Sequence, residues 1–155
     1  TVNTDRVIYH RRPNKLHTHR SEFDSEGIGS LPIVDVVMSY LGASGDLILS
    51  ARQNGIEGLV VAGTGAGSTT PDQRNAIKQL ISEGVPVVIT TRTGSGRVPA
   101  RRRQRNSTRA QSERLDNFNR IAGEDLSPVK ARVLLMLALT QTTESTEIQR
   151  MFASY

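Results

Sequence analysis

The residues most able to do chemistry in this chain lie in a glycine-rich segment, GTGAGS at 63–68. It follows a short apolar run at 58–62 that is typical of a buried strand. It precedes Thr70 and Pro71, a cap residue and a proline that predict the start of a helix. Such a turn can present free N–H groups to an anion, and Ser68 adds a hydroxyl. The simpler interpretation is a tight turn in which glycine permits positive φ.

The spacing of these glycines fits a dinucleotide-binding fingerprint only in part. The third glycine comes one place early, and Ser68 stands where Gly or Ala is needed. Arg92 follows the next apolar run, where an acidic residue would bind a ribose, and an arginine suits only a 2′-phosphate. A nucleotide site is therefore one alternative, and a purely structural turn is the other.

Other reactive side chains give weaker indications. The threonine pairs at 69–70 and 90–91 have no evident activating base, which nucleophilic catalysis needs. His17 and His19 would need further metal ligands at fitting distances, and only His10 remains, so a solvated linker is expected there. The chain has no cysteine, which excludes disulfides and thiolate chemistry. We expect neither a metal nor a cofactor.

The positive charge of the chain is concentrated in one segment. Eight arginines lie between 97 and 120 against two acidic residues, Glu113 and Asp116, which gives this segment a net charge of +6. Because the whole chain carries +5, the remainder carries only −1. The polar residues between the arginines predict a basic flexible loop at 97–117. It could bind an acidic partner, or it could simply be solvated; the lack of interleaved aromatic residues disfavours nucleic acid.

Apolar patterning predicts the fold class. Four strands are predicted, at 34–40, 58–62, 85–91 and 119–122. Helices are predicted between them and after Ser127, where the apolar run at 133–139 is too short to span a bilayer and should lie in the core. Strands that alternate with helices imply right-handed crossovers. The sequence therefore predicts an α/β fold, a small three-layer domain with about four parallel strands flanked by helices, whose ligands collect at the carboxyl ends of the strands.

The C-terminal sequence resembles that of a known protein family. The segment LSPVKARVLLMLALTQT at 126–142, running on to the ending at 146–155, resembles the C-terminus of the bacterial-type L-asparaginases, which read NPxKARxLLxLALTxT and xxIQxxFxxY. The glycine-rich text at 58–68 is similar to the family's GxVxAGxGxGS/N loop, and 91–99 is similar to its S/TRxGxGxVP loop. YHRRPNKLHT at 9–18 is similar to YxRxPxxxHT, where the family's large domain ends.

The resemblance implies a division of labour between two domains. The family hydrolyses the side-chain amide of L-asparagine or L-glutamine through a threonine nucleophile and an acyl-enzyme. Its catalytic residues belong to the N-terminal domain, so none is expected in this chain. Residues 1–32 would be the interdomain linker and the end of that missing N-terminal domain, and 33–155 the C-terminal domain. We expect a homo-oligomer with sites at subunit interfaces, and no membrane partner.

One site residue can be carried over from the family. Its C-terminal domain contributes an Asn or Ser of the glycine-rich loop to the substrate's amino group, and Ser68 matches that position. The family's second contact is acidic and comes shortly after VP, where this chain has Ala100 followed by three arginines. Glu113 or Asp116 could substitute. The chain would be inactive alone; the alternatives are a stand-alone α/β binding module that uses the basic loop on an acidic partner, and an amidotransferase subunit.

The basic loop should be the first site of proteolysis. Its arginines repel one another and few apolar side chains anchor them. Limited trypsin digestion, followed by mass spectrometry, should cut first between Arg97 and Arg114 and leave the terminal helices folded on the sheet. First cuts at Arg52 or Arg74 would instead show that the loop is ordered.

Overall fold

A computed structural model describes residues 14–24, 26–100 and 120–155. Its four parallel strands form one sheet in the order β1-β2-β3-β4, with bounds β1 (Val34–Met38), β2 (Gly58–Gly63), β3 (Val87–Thr91) and β4 (Ile121–Ala122). The predicted α/β class and the parallel sheet are confirmed. Each strand is shorter than its predicted run except β2, which extends by one residue to Gly63.

Helices cover both faces of this sheet. In the described part of the chain they are α1 (Asp46–Gln53), α2 (Pro71–Ser82), α3 (Pro128–Leu139) and α4 (Ser145–Ser154). The first two pack on one face and the last two on the other, as the membership of the two apolar clusters shows. The predicted three layers are therefore present. No described helix is long and apolar enough to cross a membrane.

Strand β2 lies at the centre of the core. All six of its residues are buried, because it has a neighbouring strand on each side and helices above and below. Leu59 and Val61 join the cluster beside α1 and α2, whereas Val60 joins the cluster beside α3 and α4. This alternation follows from the period of two along a strand. Burial on both faces explains why the run is continuously apolar.

Two predicted caps define where helices begin. Thr70 Oγ1 accepts a hydrogen bond from Gln73 N–H (3.2 Å) and donates one to the carbonyl of Ala43 (2.7 Å). Ser127 Oγ accepts from Lys130 N–H (3.5 Å). In both helices proline follows the cap at the first position, where its missing N–H leaves no bond unmade. Thr70 also ties the start of α2 to the turn after β1.

The outermost strand of the sheet, β1, is exposed and partly apolar. Strand β1 has a single neighbouring strand, and Val36 and Met38 on it are 40% and 55% exposed. Leu41, just beyond it, is fully exposed. Val129 and Val133 of α3 are also exposed. Where exposed apolar side chains form a patch, the patch usually marks an interface.

The described residues of the predicted linker pack against the domain. Lys15 Nζ donates a hydrogen bond to the carboxylate of Asp125 (3.0 Å), and this bond lowers the pKa of Asp125. The ring of Phe23 lies 5.1 Å from that of Tyr155. The stretch at 14–24 therefore runs along the α3–α4 side of the sheet.

The end of β2 requires glycine for a steric reason. A Cβ on Gly63 would lie 2.6 Å from the carbonyl carbon of Gly67 and 2.9 Å from the carbonyl oxygen of Ser68. These are backbone atoms, so no side-chain rotation can relieve the clash. The turn that carries Ser68 folds back directly onto the strand that precedes it.

Replacing Gly63 should therefore destabilise the domain. Gly63→Ala is expected to lower the free energy of unfolding by about 1–3 kcal/mol, as overpacking of a core does. Urea unfolding followed by circular dichroism measures the change. Gly29→Ala is the matched control, because a Cβ there meets nothing within 4 Å. Equal midpoints for the two variants would contradict the close approach.

Candidate functional site

The turns after the four strands meet at one edge of the sheet, because the carboxyl ends of parallel strands lie together. The turn after β3 is bonded to β2, since Arg92 N–H donates to the carbonyl of Gly63 (2.9 Å). The turn after β4 is bonded to β3, since Gly123 N–H donates to the carbonyl of Ile89 (2.8 Å). These bonds fix the turns relative to one another. The turns form the carboxyl edge of the sheet, which is where α/β sheets bind ligands.

Ser68 lies at this edge, in the turn between β2 and α2. Thr64 and Ser68 exchange two backbone hydrogen bonds, of 2.9 Å from Thr64 N–H and 2.8 Å from Ser68 N–H. The Ser68 side chain is exposed, and its hydroxyl has no hydrogen-bond partner among the described residues. The turn therefore has its backbone fixed by hydrogen bonds while the Ser68 side chain is exposed.

The same bonds argue against the dinucleotide alternative. Gly67 N–H and Ser68 N–H both donate to the carbonyl of Thr64, at 3.1 and 2.8 Å. Gln73 N–H, at the start of α2, is occupied by the Thr70 hydroxyl. These N–H groups are not free to bind a phosphate. Gly67 instead serves the turn through its φ of +88°, which other residues rarely adopt.

A buried carboxylate that the sequence analysis did not identify lies beside this turn. Glu124 is the second residue after the end of β4, and it is 5% exposed. Its Oε2 is paired with Arg97 Nε, and its Oε1 accepts a hydrogen bond from Ala100 N–H (3.2 Å). The hydrogen bond to Glu124 is the main cause that raises the pKa of Arg97. The first residues of the predicted basic loop, 97–100, are thus held at the sheet edge.

The expected acidic substitutes cannot be placed at the site. Glu113 and Asp116 lie outside the described residues, as does the arginine run at 101–103. Glu124 already binds protein groups with both oxygens, one paired with Arg97 Nε and the other accepting from Ala100 N–H. The sequence AGED at 122–125 contains no motif that would identify Glu124 as a functional residue. The signal that could have found it is its position: an acidic residue directly after a short strand, at the edge where ligands collect.

The threonines at 90–91 and the histidines contact no general base and belong to no metal-binding group in the described part of the chain. Thr90 Oγ1 donates to the carbonyl of Val61 (3.3 Å), and Thr91 Oγ1 lies 2.8 Å from Thr93 Oγ1. Neither partner is a general base. The two described histidines are exposed beside a short helical turn, Thr18–Arg20. Within 14–24, 26–100 and 120–155, no group of three side chains could hold a metal ion.

Comparison with known proteins gives the same family over nearly the whole chain. The glutaminase/asparaginase C-terminal domain model matches residues 33–152. The chain is 34% identical to the glutaminase-asparaginase of Pseudomonas fluorescens biotype A, over 94% of this chain and 38% of that protein. It is 32% identical to L-asparaginase 2 of Escherichia coli (strain K12), over 99% of this chain and 42% of that protein.

A solved structure agrees with this assignment. The crystal structure of a probable cytoplasmic L-asparaginase from Campylobacter jejuni matches with a TM-score of 0.84 and 37% identity, over 99% of this chain and 47% of that chain. The chain thus spans about two fifths of the length of the curated relatives it matches. It belongs to the glutaminase/asparaginase family, of which it represents the C-terminal domain.

Proposed function

We propose that this chain is the C-terminal domain of an amidohydrolase that converts L-asparagine, or L-glutamine, to the acid and ammonia. In this proposal a separate N-terminal domain supplies the threonine nucleophile. This chain supplies Ser68 to the substrate's amino group, at a site shared between subunits of a homo-oligomer. The free hydroxyl of Ser68, on a rigid turn in a chain of this family, is the observation that carries the proposal.

Physical chemistry supports a binding role for that hydroxyl. An α-ammonium group that leaves water needs hydrogen-bond acceptors, because an unpaired buried charge is costly. A hydroxyl oxygen has acceptor capacity, and hydrogen bonds to charged groups are among the stronger ones. Ser68 has no competing hydrogen-bond partner among the described residues, so in that part of the chain only water has to be displaced from its hydroxyl when substrate binds.

The architecture supports the need for a second domain. The strand order β1-β2-β3-β4 has no reversal, and reversals create the crevice in which doubly wound sheets enclose ligands. Among the described residues, no crevice of this kind encloses the edge that carries Ser68. In the proposal another domain or subunit covers this edge and encloses the substrate. The stand-alone module that would use the basic loop has no comparable support, since residues 101–119 lie outside the described part of the chain.

The isolated 155-residue chain should not hydrolyse amides. No activated nucleophile accompanies Ser68 in the described part of the chain, so mixing the purified chain with L-asparagine or L-glutamine should release ammonia no faster than buffer does. A coupled assay with glutamate dehydrogenase measures the rate. Turnover that survives repurification and disappears on heat denaturation would overturn the proposed division of labour.

Ser68→Ala should weaken substrate binding in an active protein that joins residues 33–155 to a catalytic domain of the family. One hydrogen bond to a charged group is lost, about 1.5–3 kcal/mol, which corresponds to a rise in KM of roughly 10- to 150-fold. The melting temperature should stay unchanged, because the hydroxyl bonds to no described residue.

Ser30→Ala is the control, since Ser30 is exposed and precedes β1, at the opposite edge of the sheet. It should leave both KM and melting temperature unchanged. A lowered melting temperature with unchanged KM in Ser68→Ala would mean that Ser68 only stabilises the turn, and the proposed site assignment would fail.

A further inference from the structure

We propose that Glu124 is a positioning residue, which fixes residues 97–100 and, through Val98, the turn that carries Ser68. The inference rests on the proposed function, in that Ser68 is taken to bind substrate. The proposal adds to the site a residue from the turn after β4. It explains how a buried carboxylate affects substrate binding without touching the substrate.

The first observation is the conformation of Glu124. Its φ of +54° lies in the left-handed region, which costs a non-glycine residue about 1 kcal/mol or more. Its backbone is held there by two hydrogen bonds exchanged with Val98, of 2.9 and 3.1 Å. A glycine at this position would adopt the same backbone without strain. Glutamate at this position therefore carries a conformational cost that glycine would not, and the contacts of its side chain can offset that cost.

The second observation is what the carboxylate does. It accepts from Ala100 N–H on one oxygen and pairs with Arg97 on the other. The side chain is only 6% exposed, so a carboxylate without these partners would be costly to bury. Glu124 thus binds both ends of the segment 97–100, and its backbone binds the middle. Three separate attachments leave this segment little freedom.

The third observation connects the segment to Ser68. Val98 is 7% exposed, and its two methyl carbons lie 3.1 and 3.3 Å from the place a Cβ would take on Gly67. Gly67 is the residue directly before Ser68. The Val98 side chain therefore packs against the turn at the point where Ser68 emerges. Ile89 Cγ2 of β3 lies closer still to that Cβ position, at 2.6 Å, so Gly67 rests against both side chains, and a shift of the segment 97–100 would remove one of these two supports.

A charge effect acts in the same direction. Arg97 is mostly exposed at the sheet edge, with a side chain 62% accessible to solvent. Paired with Glu124, its charge is compensated. Without that partner it would add an uncompensated positive charge at the edge where a substrate ammonium is proposed to bind, and like charges repel. Both effects predict weaker substrate binding when the carboxylate is removed.

The test uses Glu124→Gly, which keeps the backbone conformation and removes the carboxylate. In the 155-residue chain, amide hydrogen exchange by NMR should be at least about tenfold faster at Ala100 and Ser68, because local opening becomes easier. The melting temperature should fall little, since backbone strain is relieved at the same time. Glu83→Gln, an exposed acid at the end of α2, should leave exchange at these amides unchanged.

In an active two-domain protein, Glu124→Gly should raise KM about 3- to 30-fold, the range of couplings carried by contacting residues, with kcat within about twofold. Glu124→Gln, which keeps an acceptor for Ala100 N–H but loses the charge, should fall between wild type and Glu124→Gly. Unchanged exchange at Ser68 would overturn the positioning role at the level of the chain.

The two proposals fail in different ways. Faster exchange at Ser68 with unchanged KM in Glu124→Gly would overturn the link to substrate binding, while Ser68→Ala tests the site itself independently. If Ser68→Ala leaves KM unchanged, the proposed function of Ser68 fails even though the exchange result for Glu124 stands. Loss of folding in both Glu124 variants would show that the carboxylate is structural and would also overturn its positioning role.

Discussion

The full burial of β2 is the constraint on which the rest of the structure depends. A parallel strand with neighbours on both sides must bury both faces, and all six residues of β2 do so. This requires helices above and below, and crossovers that return every strand in the same direction. All turns that follow the strands consequently gather at one edge. The turn after β2 must leave a packed core without extra volume, so Gly63 and Gly67 are in near contact.

That constraint also explains why the Ser68 turn is rigid. The N–H groups of Thr64, Gly67 and Ser68 bond within the turn, and Val98 packs against Gly67 from the side. A rigid turn holds a hydroxyl in place at little entropic cost when a ligand binds. The turn is thus suited to contact a small charged group, and poorly suited to wrap around a phosphate. The hydrogen bonds within the turn and the packing of Val98 both indicate that the glycines shape the turn and do not bind a phosphate.

Local sequence patterns predicted most of the fold. The strands, the caps at Thr70 and Ser127 and the two helical layers follow from hydrophobic runs and from prolines after cap residues, which are local signals. The exposed position of Ser68 was predictable from its place after a buried run. The place of Glu124 near this edge could be read from its position after a short strand, but its contacts could not, because its partners lie more than twenty residues away in the chain and its left-handed backbone has no signature in the residue type. Contacts between turns of different strands depend on sheet register, which a single sequence does not specify.

The most direct test of the central claim is a crystal structure of residues 33–155 joined to a catalytic domain of the family, with L-aspartate bound. We predict that Ser68 Oγ lies within about 3.2 Å of the ligand's ammonium nitrogen, a normal hydrogen-bond distance. The ligand should sit at the carboxyl edge of β2, enclosed by another domain or subunit. A separation of more than about 4 Å, with the ammonium held by other residues, is no hydrogen bond. That result would contradict a substrate-binding role for Ser68 and leave this domain only a role in packing.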